Sequence, residues 1–149
     1  MKANVQVWAV FFISVTLGCS NLFGQGMVHF GSDRSTLVIN GITGQPVPAA
    51  DGIKAAVYWS PLNSSNFVQL GLAVQVGLPV PGFYVGGTRA TGLETPAGVR
   101  ARFQVRVWES TYGISYEEAL NAPARSGRKA LVGQSAIIEA PTRRLHRPC

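Results

Sequence analysis

The sequence predicts an all-β fold, an antiparallel two-sheet sandwich of short strands with one short helix near residues 115–121. Three features carry that prediction. Val99 to Glu109 alternates without a break: Val99, Ala101, Phe103, Val105 and Val107 fall on one face, and Arg100, Arg102, Gln104, Arg106 and Trp108 on the other. Side chains alternate sides along a strand, so this stretch reads as one long strand with an apolar face and, given three arginines, a solvated one. With 17 Gly and 9 Pro, the rest of the chain is cut into short runs by turns, the rhythm of sheets rather than of helical bundles. No βαβ alternation and no internal repeat competes with this pattern.

The elements follow in order. Gly26–Gly31 alternates weakly and is the first expected strand. Ser35–Ile39 is the second, and Asn40-Gly41 is a turn signal that closes a hairpin onto Ile42-Thr43. Gly44–Gly52 is a loop rich in Pro, Ala and Gly. Ile53–Trp59 is a strand with Ile53, Ala55, Val57 and Trp59 inward, Lys54 and Tyr58 outward, and Ser60-Pro61 as its stop. Phe67–Leu70 and Ala73–Val76 are short strands about Gly71. Phe83–Val85 is a strand ended by Gly86-Gly87, and Arg89–Thr91 a short edge strand. Thr95–Gly98 turns the chain into the long strand. Ser115–Asn121 is the helix, with Ser115 as N-cap, Glu118 at the reciprocal capping-box position and Pro123 as its end. Gly133–Ile138 is the last strand. Strands this short, at this turn spacing, give a sandwich over residues 26–141.

A chain of 149 residues fits one domain and buries a core without staples. Charged residues make up 13%, against ~25% in typical soluble domains. The net charge is +6, and most of the 13 basic residues are Arg. Residues 1–25 read as a secretory signal peptide. Lys2 supplies a minimal basic start, and the apolar run Val5–Leu17 covers about thirteen residues, short of the roughly 20 that span a bilayer. Cleavage is expected after Gly24 or Gln25, because a strand pattern starts just beyond. Thr16-Leu-Gly-Cys19 loosely matches a bacterial lipobox, which makes lipidation at Cys19 the less favoured alternative. Without Cys19, Cys149 has no partner for an intramolecular disulfide. Residues 142–149 form a basic tail with no strand pattern.

Gln104-Val-Arg-Val-Trp-Glu109, with Tyr112-Gly113 and Ser115-Tyr-Glu-Glu-Ala119, resembles a block found in a family of uncharacterised secreted proteins of Verrucomicrobia and related bacteria. Gln25-Gly-Met-Val-His-Phe30, Ala55-Ala-Val-Tyr58, Tyr84-Val-Gly-Gly87, Pro96-Ala-Gly98 and Gly133-Gln-Ser135 extend the resemblance over roughly Gly24 to Pro141. It implies a secreted β-sandwich-like domain and no activity that carries over. Many members end in a PEP-CTERM sorting signal, whereas this chain ends in Arg143-Arg-Leu-His-Arg-Pro-Cys149. A frameshift or early stop after about Thr142 is the expectation, tested by reading the neighbouring genomic frames.

Arg100, Arg102, Arg106 and Trp108 are the candidate ligand-binding residues, as a basic strip on which Trp108 stacks against a sugar ring. The competing reading is a structural surface in which arginine stems cover aromatic rings and Trp108 packs on the short helix. Glu109, Glu117 and Glu118 stand near enough in sequence to neutralise the strip. The seven carboxylates show no paired motif for hydrolysis. His29 and His146 show no metal-ligand spacing beyond a lone His146/Cys149 pair, and no nucleophile elbow, P-loop or dinucleotide fingerprint is present.

The expectation is therefore a secreted or cell-surface structural or adhesive module, with no catalytic residues, no metal and no cofactor. A carbohydrate- or polyanion-binding module is the alternative, and a hydrolase the second alternative. Extracellular polysaccharide or another surface protein is the expected partner. Nucleic acid is not expected, and the membrane is met only through the signal or a lipid anchor. Exposed Tyr58, Trp108 and Tyr112 rings would favour sugar binding; buried ones would favour a scaffold.

Overall fold

The computed structural model describes residues 24–144; the N-terminal apolar run, Cys19 and the 145–149 segment lie outside it. Eight strands form two antiparallel sheets in a sandwich-like arrangement, with one short helix, as the turn-rich alternating sequence predicts. The larger sheet is built on two long strands, β2 (Ile53–Pro61) and β6 (Arg100–Glu109), paired from Ile53↔Glu109 to Pro61↔Ala101. Short strands β3 (Val68–Gln69) and β4 (Val74–Gln75) pair with β2. On the far side of β6 lie β7 (Val132–Gln134) and β8 (Ile138–Pro141). The smaller sheet has two strands, β1 (Met27–Gly31) and β5 (Val85–Ala90).

Between the sheets, Phe30, Ile53, Ala55, Val57, Trp59, Tyr84, Ala101 and Phe103 form the main core. The alternation of β2 and β6 places their odd-numbered residues there, as the sequence predicts. Buried polar groups find partners: Trp59 Nε1 donates to Thr95 Oγ1 at 3.2 Å, and Thr91 Oγ1 to the Thr95 carbonyl at 2.8 Å.

The opposite face of the larger sheet is packed as the structural reading of Trp108 expects, and departs from expectation at Tyr58. Ala56, Tyr58 and Trp108 are buried there with Tyr112, Tyr116 and Ala119. Tyr58 is therefore an inward residue, and this face of β6 is covered at its Trp108 end, while Arg100 stays exposed. The cover is helix α1 (Tyr116–Asn121), folded back over the sheet by the short Ser110–Ser115 connection. Ser115 caps it as expected, its Oγ accepting from Glu118 N at 3.2 Å. Glu118 Oε2 in turn accepts from Ile114 N at 2.9 Å, one residue before the usual capping-box donor.

Five further expectations change. Ser35–Ile39 is not a strand: Asp33 Oδ1 ties down Ser35 N and Thr36 Oγ1, and only Ile39 bridges, to Pro46. The return segment carries Pro46 and Pro48, which have no N–H for a longer ladder. The Asn40-Gly41 hairpin accordingly closes on Gln45–Val47 instead of Ile42-Thr43, which stays in the loop. β5 runs through Gly86-Gly87 instead of stopping there, because a Cβ at Gly86 would overlap the Phe30 ring. β2 continues through Ser60-Pro61, where Pro61 is the terminal residue. The expected last strand is two strands, split where Ser135 Oγ takes the Val105 N–H at 3.0 Å.

At one corner the chain changes sheets. β8 pairs with β6 to Pro141; Thr142 then bonds Val99, and Arg143 exchanges two backbone bonds with Met27 of β1, at 2.8 and 2.9 Å. The hydrogen-bonded fold thus extends to Arg143, two residues past the expected boundary at 141.

Candidate functional site

The sequence-predicted binding residues divide three ways. Trp108 is inside the protein, 1% exposed, with Nε1 donating to the Gly113 carbonyl at 3.2 Å. Gly113 is required for that approach, since a Cβ there would press on Glu118 Cβ at 2.6 Å. Tyr58 and Tyr112 are also buried. None of the three rings offers the exposed platform that sugar stacking needs.

Arg106 is the centre of a polar clamp on the helix face. Pairing across β2 and β6 sets Ala56 opposite Arg106 and Tyr58 opposite Gln104, so the guanidinium lies diagonally over the Tyr58 ring, 4.3 Å from its centroid. The Tyr116 and Phe67 rings stand at 5.2 and 5.7 Å. Arg106 Nη1 donates to Glu117 Oε1 at 2.8 Å, and Nε to Gln104 Oε1 at 3.0 Å. The Tyr58 hydroxyl lies 3.0 Å from Glu117 Oε2 and 3.2 Å from Gln69 Oε1. Burial, reinforced by the Glu117 carboxylate, pushes the Tyr58 phenol well above its usual range. Every group in the clamp is occupied by another, so its chemistry is helix docking: it joins β2, β6 and α1 through one guanidinium.

Arg100 and Arg102 differ from Arg106. Arg102 Nη1 donates to the Ser64 carbonyl at 3.1 Å, with Phe67 at 5.6 Å, and Arg100 Nη2 donates to the Glu139 carbonyl at 3.2 Å. Neither meets a carboxylate among the described residues; the two ion pairs there are Arg106–Glu117 and Arg128–Glu109.

Sequence reasoning missed that second pair. Glu109 ends β6, and Arg128 approaches it with two 2.8 Å bonds, one to each carboxylate oxygen. Leu131 N and Thr111 Oγ1 add 3.3 and 3.0 Å bonds. Arg128 holds the Glu109 carboxyl down at about 2, well below the ordinary carboxylate range. Arg125 and Arg128 also stand over the Tyr112 ring at 5.0 and 5.5 Å, and the Tyr112 hydroxyl donates to the Arg128 carbonyl at 2.8 Å. The signal lay in the basic 124–129 loop, but nothing in its spacing shows that it doubles back on the strand end.

An apolar trough was also not legible. It lies between β1 and the β7–β8 edge, with a volume of about 560 Å³. Its floor is Phe103, Val105 and Val107, the alternate residues of β6. Its walls include Val28, Phe30 and Ile138. A smaller hollow continues it past Val107 toward Ile53 and Leu131. His29 lines the rim and is the one ionisable side chain there other than the Tyr84 phenol.

Among the described residues no group of three or more His, Cys, Asp and Glu side chains is placed to hold a metal ion, and no helix is long and apolar enough to cross a membrane. Comparison with known family profiles, with characterised proteins and with solved structures finds no match to the chain.

Proposed function

We propose that the protein is a secreted, extracellular or cell-surface structural or adhesive module without catalytic activity. One observation carries this reading: the aromatic and charged groups best suited to a ligand are consumed inside the fold. Trp108 is buried and hydrogen-bonded, and Arg106 is shared among Glu117, Gln104 and the Tyr58 face. Secretion rests on the N-terminal apolar run, with cleavage after Gly24 or Gln25. Expression in a secreting host, followed by N-terminal sequencing of the exported protein, tests it. A mature chain starting at Gln25 or Gly26 is expected; a product found only in the cytoplasm and starting at Met1 overturns it. The likeness to the secreted bacterial family is a proposal of the same kind, and its most specific block, Gln104–Ala119, spans the strand, connection and helix that make the clamp.

A second reading has its own support. The guanidinium groups of Arg100 and Arg102 bond only carbonyl oxygens, which leaves their charge available to an acidic polysaccharide. Retention on immobilised heparin that falls with added salt, and falls further in Arg100→Ala/Arg102→Ala, is the expected result under this reading. Elution of that variant at the parent's salt concentration removes it.

A further inference from the structure

Two arginines face each other across a tight turn at the end of β6 remote from Arg100. Arg125 N donates to the Arg128 carbonyl at 2.8 Å, and Arg128 N to the Arg125 carbonyl at 3.0 Å. Ser126 and Gly127 between them have φ of 50° and 75°, the both-positive pair of a two-residue hairpin turn, where Asn-Gly is the favoured sequence. Ser126 is the one non-glycine residue with positive φ among the described residues. Residues that exchange both backbone bonds carry their side chains on the same face, with Cα atoms about 5.5 Å apart. Like charges set opposite each other in this way destabilise a hairpin. Here both guanidinium groups lie over the Tyr112 ring, at 5.0 and 5.5 Å from its centroid.

The two halves are not equally satisfied. Arg128 has a counter-ion, with Nη1 and Nη2 each donating to one Glu109 oxygen at 2.8 Å. Arg125 has the same ring and a backbone carbonyl, Nη1 donating to Thr111 O at 2.6 Å. It meets no carboxylate among the described residues, and its Nε–Nη2 edge has no partner there. The carboxylates of this region are engaged elsewhere: Glu109 by Arg128, Glu117 by Arg106, and Glu118 by the Ile114 N–H. One face of the hairpin thus sets two cations against one anion. The Thr111 bond and the ring already fix the Arg125 guanidinium, so little side-chain freedom is left to lose on binding. The Arg128 half shows what fits such a group: a carboxylate across a guanidinium edge.

We propose that Arg125 is a carboxylate-binding site and that its ligand is a uronate unit of an acidic polysaccharide. One exposed ion pair is weak, so the site gains useful affinity from a chain that repeats its carboxylate many times. The tip of the hairpin is Ser126-Gly127 and supplies no apolar anchor of the kind that centres a protein interface. Arg100 lies about 30 Å away along β6, so this site stands whether or not Arg100 and Arg102 bind polysaccharide.

The test uses the purified full-length chain. Trigalacturonate is titrated while the Arg125 Nε–Hε signal is followed by NMR. Retention on immobilised polygalacturonate is then measured in the Arg100→Ala/Arg102→Ala background, where only other cations contribute. The Arg125 signal is expected to shift saturably and that of Arg106 to stay in place. Arg125→Gln and Arg125→Lys, the second of which keeps the charge but loses the fork, are each expected to weaken retention about fivefold. Lys129→Gln removes the same charge one residue past Arg128, where the alternation turns the side chain to the other face, and is expected to change retention less than about twofold. A static Arg125 signal overturns the proposal, as do equal losses in Arg125→Gln and Lys129→Gln. Equal retention on polyglutamate with the same dependence on Arg125 overturns the polysaccharide, and stronger retention on dextran sulfate overturns the carboxylate. Heparin elution of Arg100→Ala/Arg102→Ala bears on those two arginines alone, so the two readings fail separately.

Discussion

The two faces of the larger sheet are closed in different ways. The helix face is small and sealed by aromatic rings whose polar tips are bonded: Trp108 to Gly113, Tyr112 to Arg128, Tyr58 to Glu117 or Gln69. The sandwich face is broader and almost wholly apolar, but its second sheet stops short and leaves the trough over Val105 and Val107. The difference separates two sources of stability. Apolar area is non-directional and tolerates a gap, whereas bonded rings fix one position for one helix.

The largest expected effect is on the sealed face. Trp108→Ala removes a fully buried indole and orphans the Gly113 carbonyl, and is expected to cost about 3–5 kcal/mol in urea unfolding. A loss below about 1 kcal/mol would mean that the helix face contributes little. Within the sandwich face, a sealed site and the open trough can then be compared through valines. Val76→Ala, at a fully buried site, is expected to cost about 2 kcal/mol, and Val105→Ala at the trough under about 1 kcal/mol. Equal losses would show that the trough floor is packed in solution. Tyr58→Phe removes one buried hydroxyl and is expected to cost about 1 kcal/mol. Glu117→Gln keeps a hydrogen-bond acceptor on a side chain that is itself half-exposed and is expected to cost less; the reverse order would place the clamp's strength in its ion pair.

The smallest effect separates the strand end from both faces. Glu109 has a depressed folded pKa of about 2, so its contribution is present above the ordinary carboxylate range and is lost as pH falls toward 2. The exposed Arg128 partner, 53% accessible, limits its size. Urea midpoints followed from pH 6 to 2 should fall in the parent and flatten in Glu109→Gln, with Asp33→Asn, whose carboxyl is also held low by Ser35 and Thr36, removing a smaller share. An unchanged slope in Glu109→Gln would show that the Arg128 pairing does not persist in solution.

The sequence made β6 and α1 legible because each carries its own period: ten alternating residues for the strand, and a capping Ser115 with Glu118 for the helix. The same alternation misled at Tyr58, while Trp108 packs against the helix as its structural reading expects. A period of two states that residues share a face, not what covers it. Arginines on that face suggested water, but Arg106 lies flat on rings, its charge met by Glu117. The short connection from Ser110 to Ser115 held the missing information, since it leaves the helix little choice but to fold back. Ser35–Ile39 failed for another reason: its residue types favour a strand, but the prolines opposite deny it a ladder. The trough and the Glu109–Arg128 pair both depend on contacts between distant segments, which no local pattern encodes.

The double bond between Met27 and Arg143 has a geometric consequence. It places the two ends of the described fold side by side at one pole, where β6 begins. The opposite pole, about 33 Å along ten strand residues, carries the Arg125–Lys129 loop clasped to Glu109. A molecule held to a support through either terminus would therefore hold the same basic loop outermost.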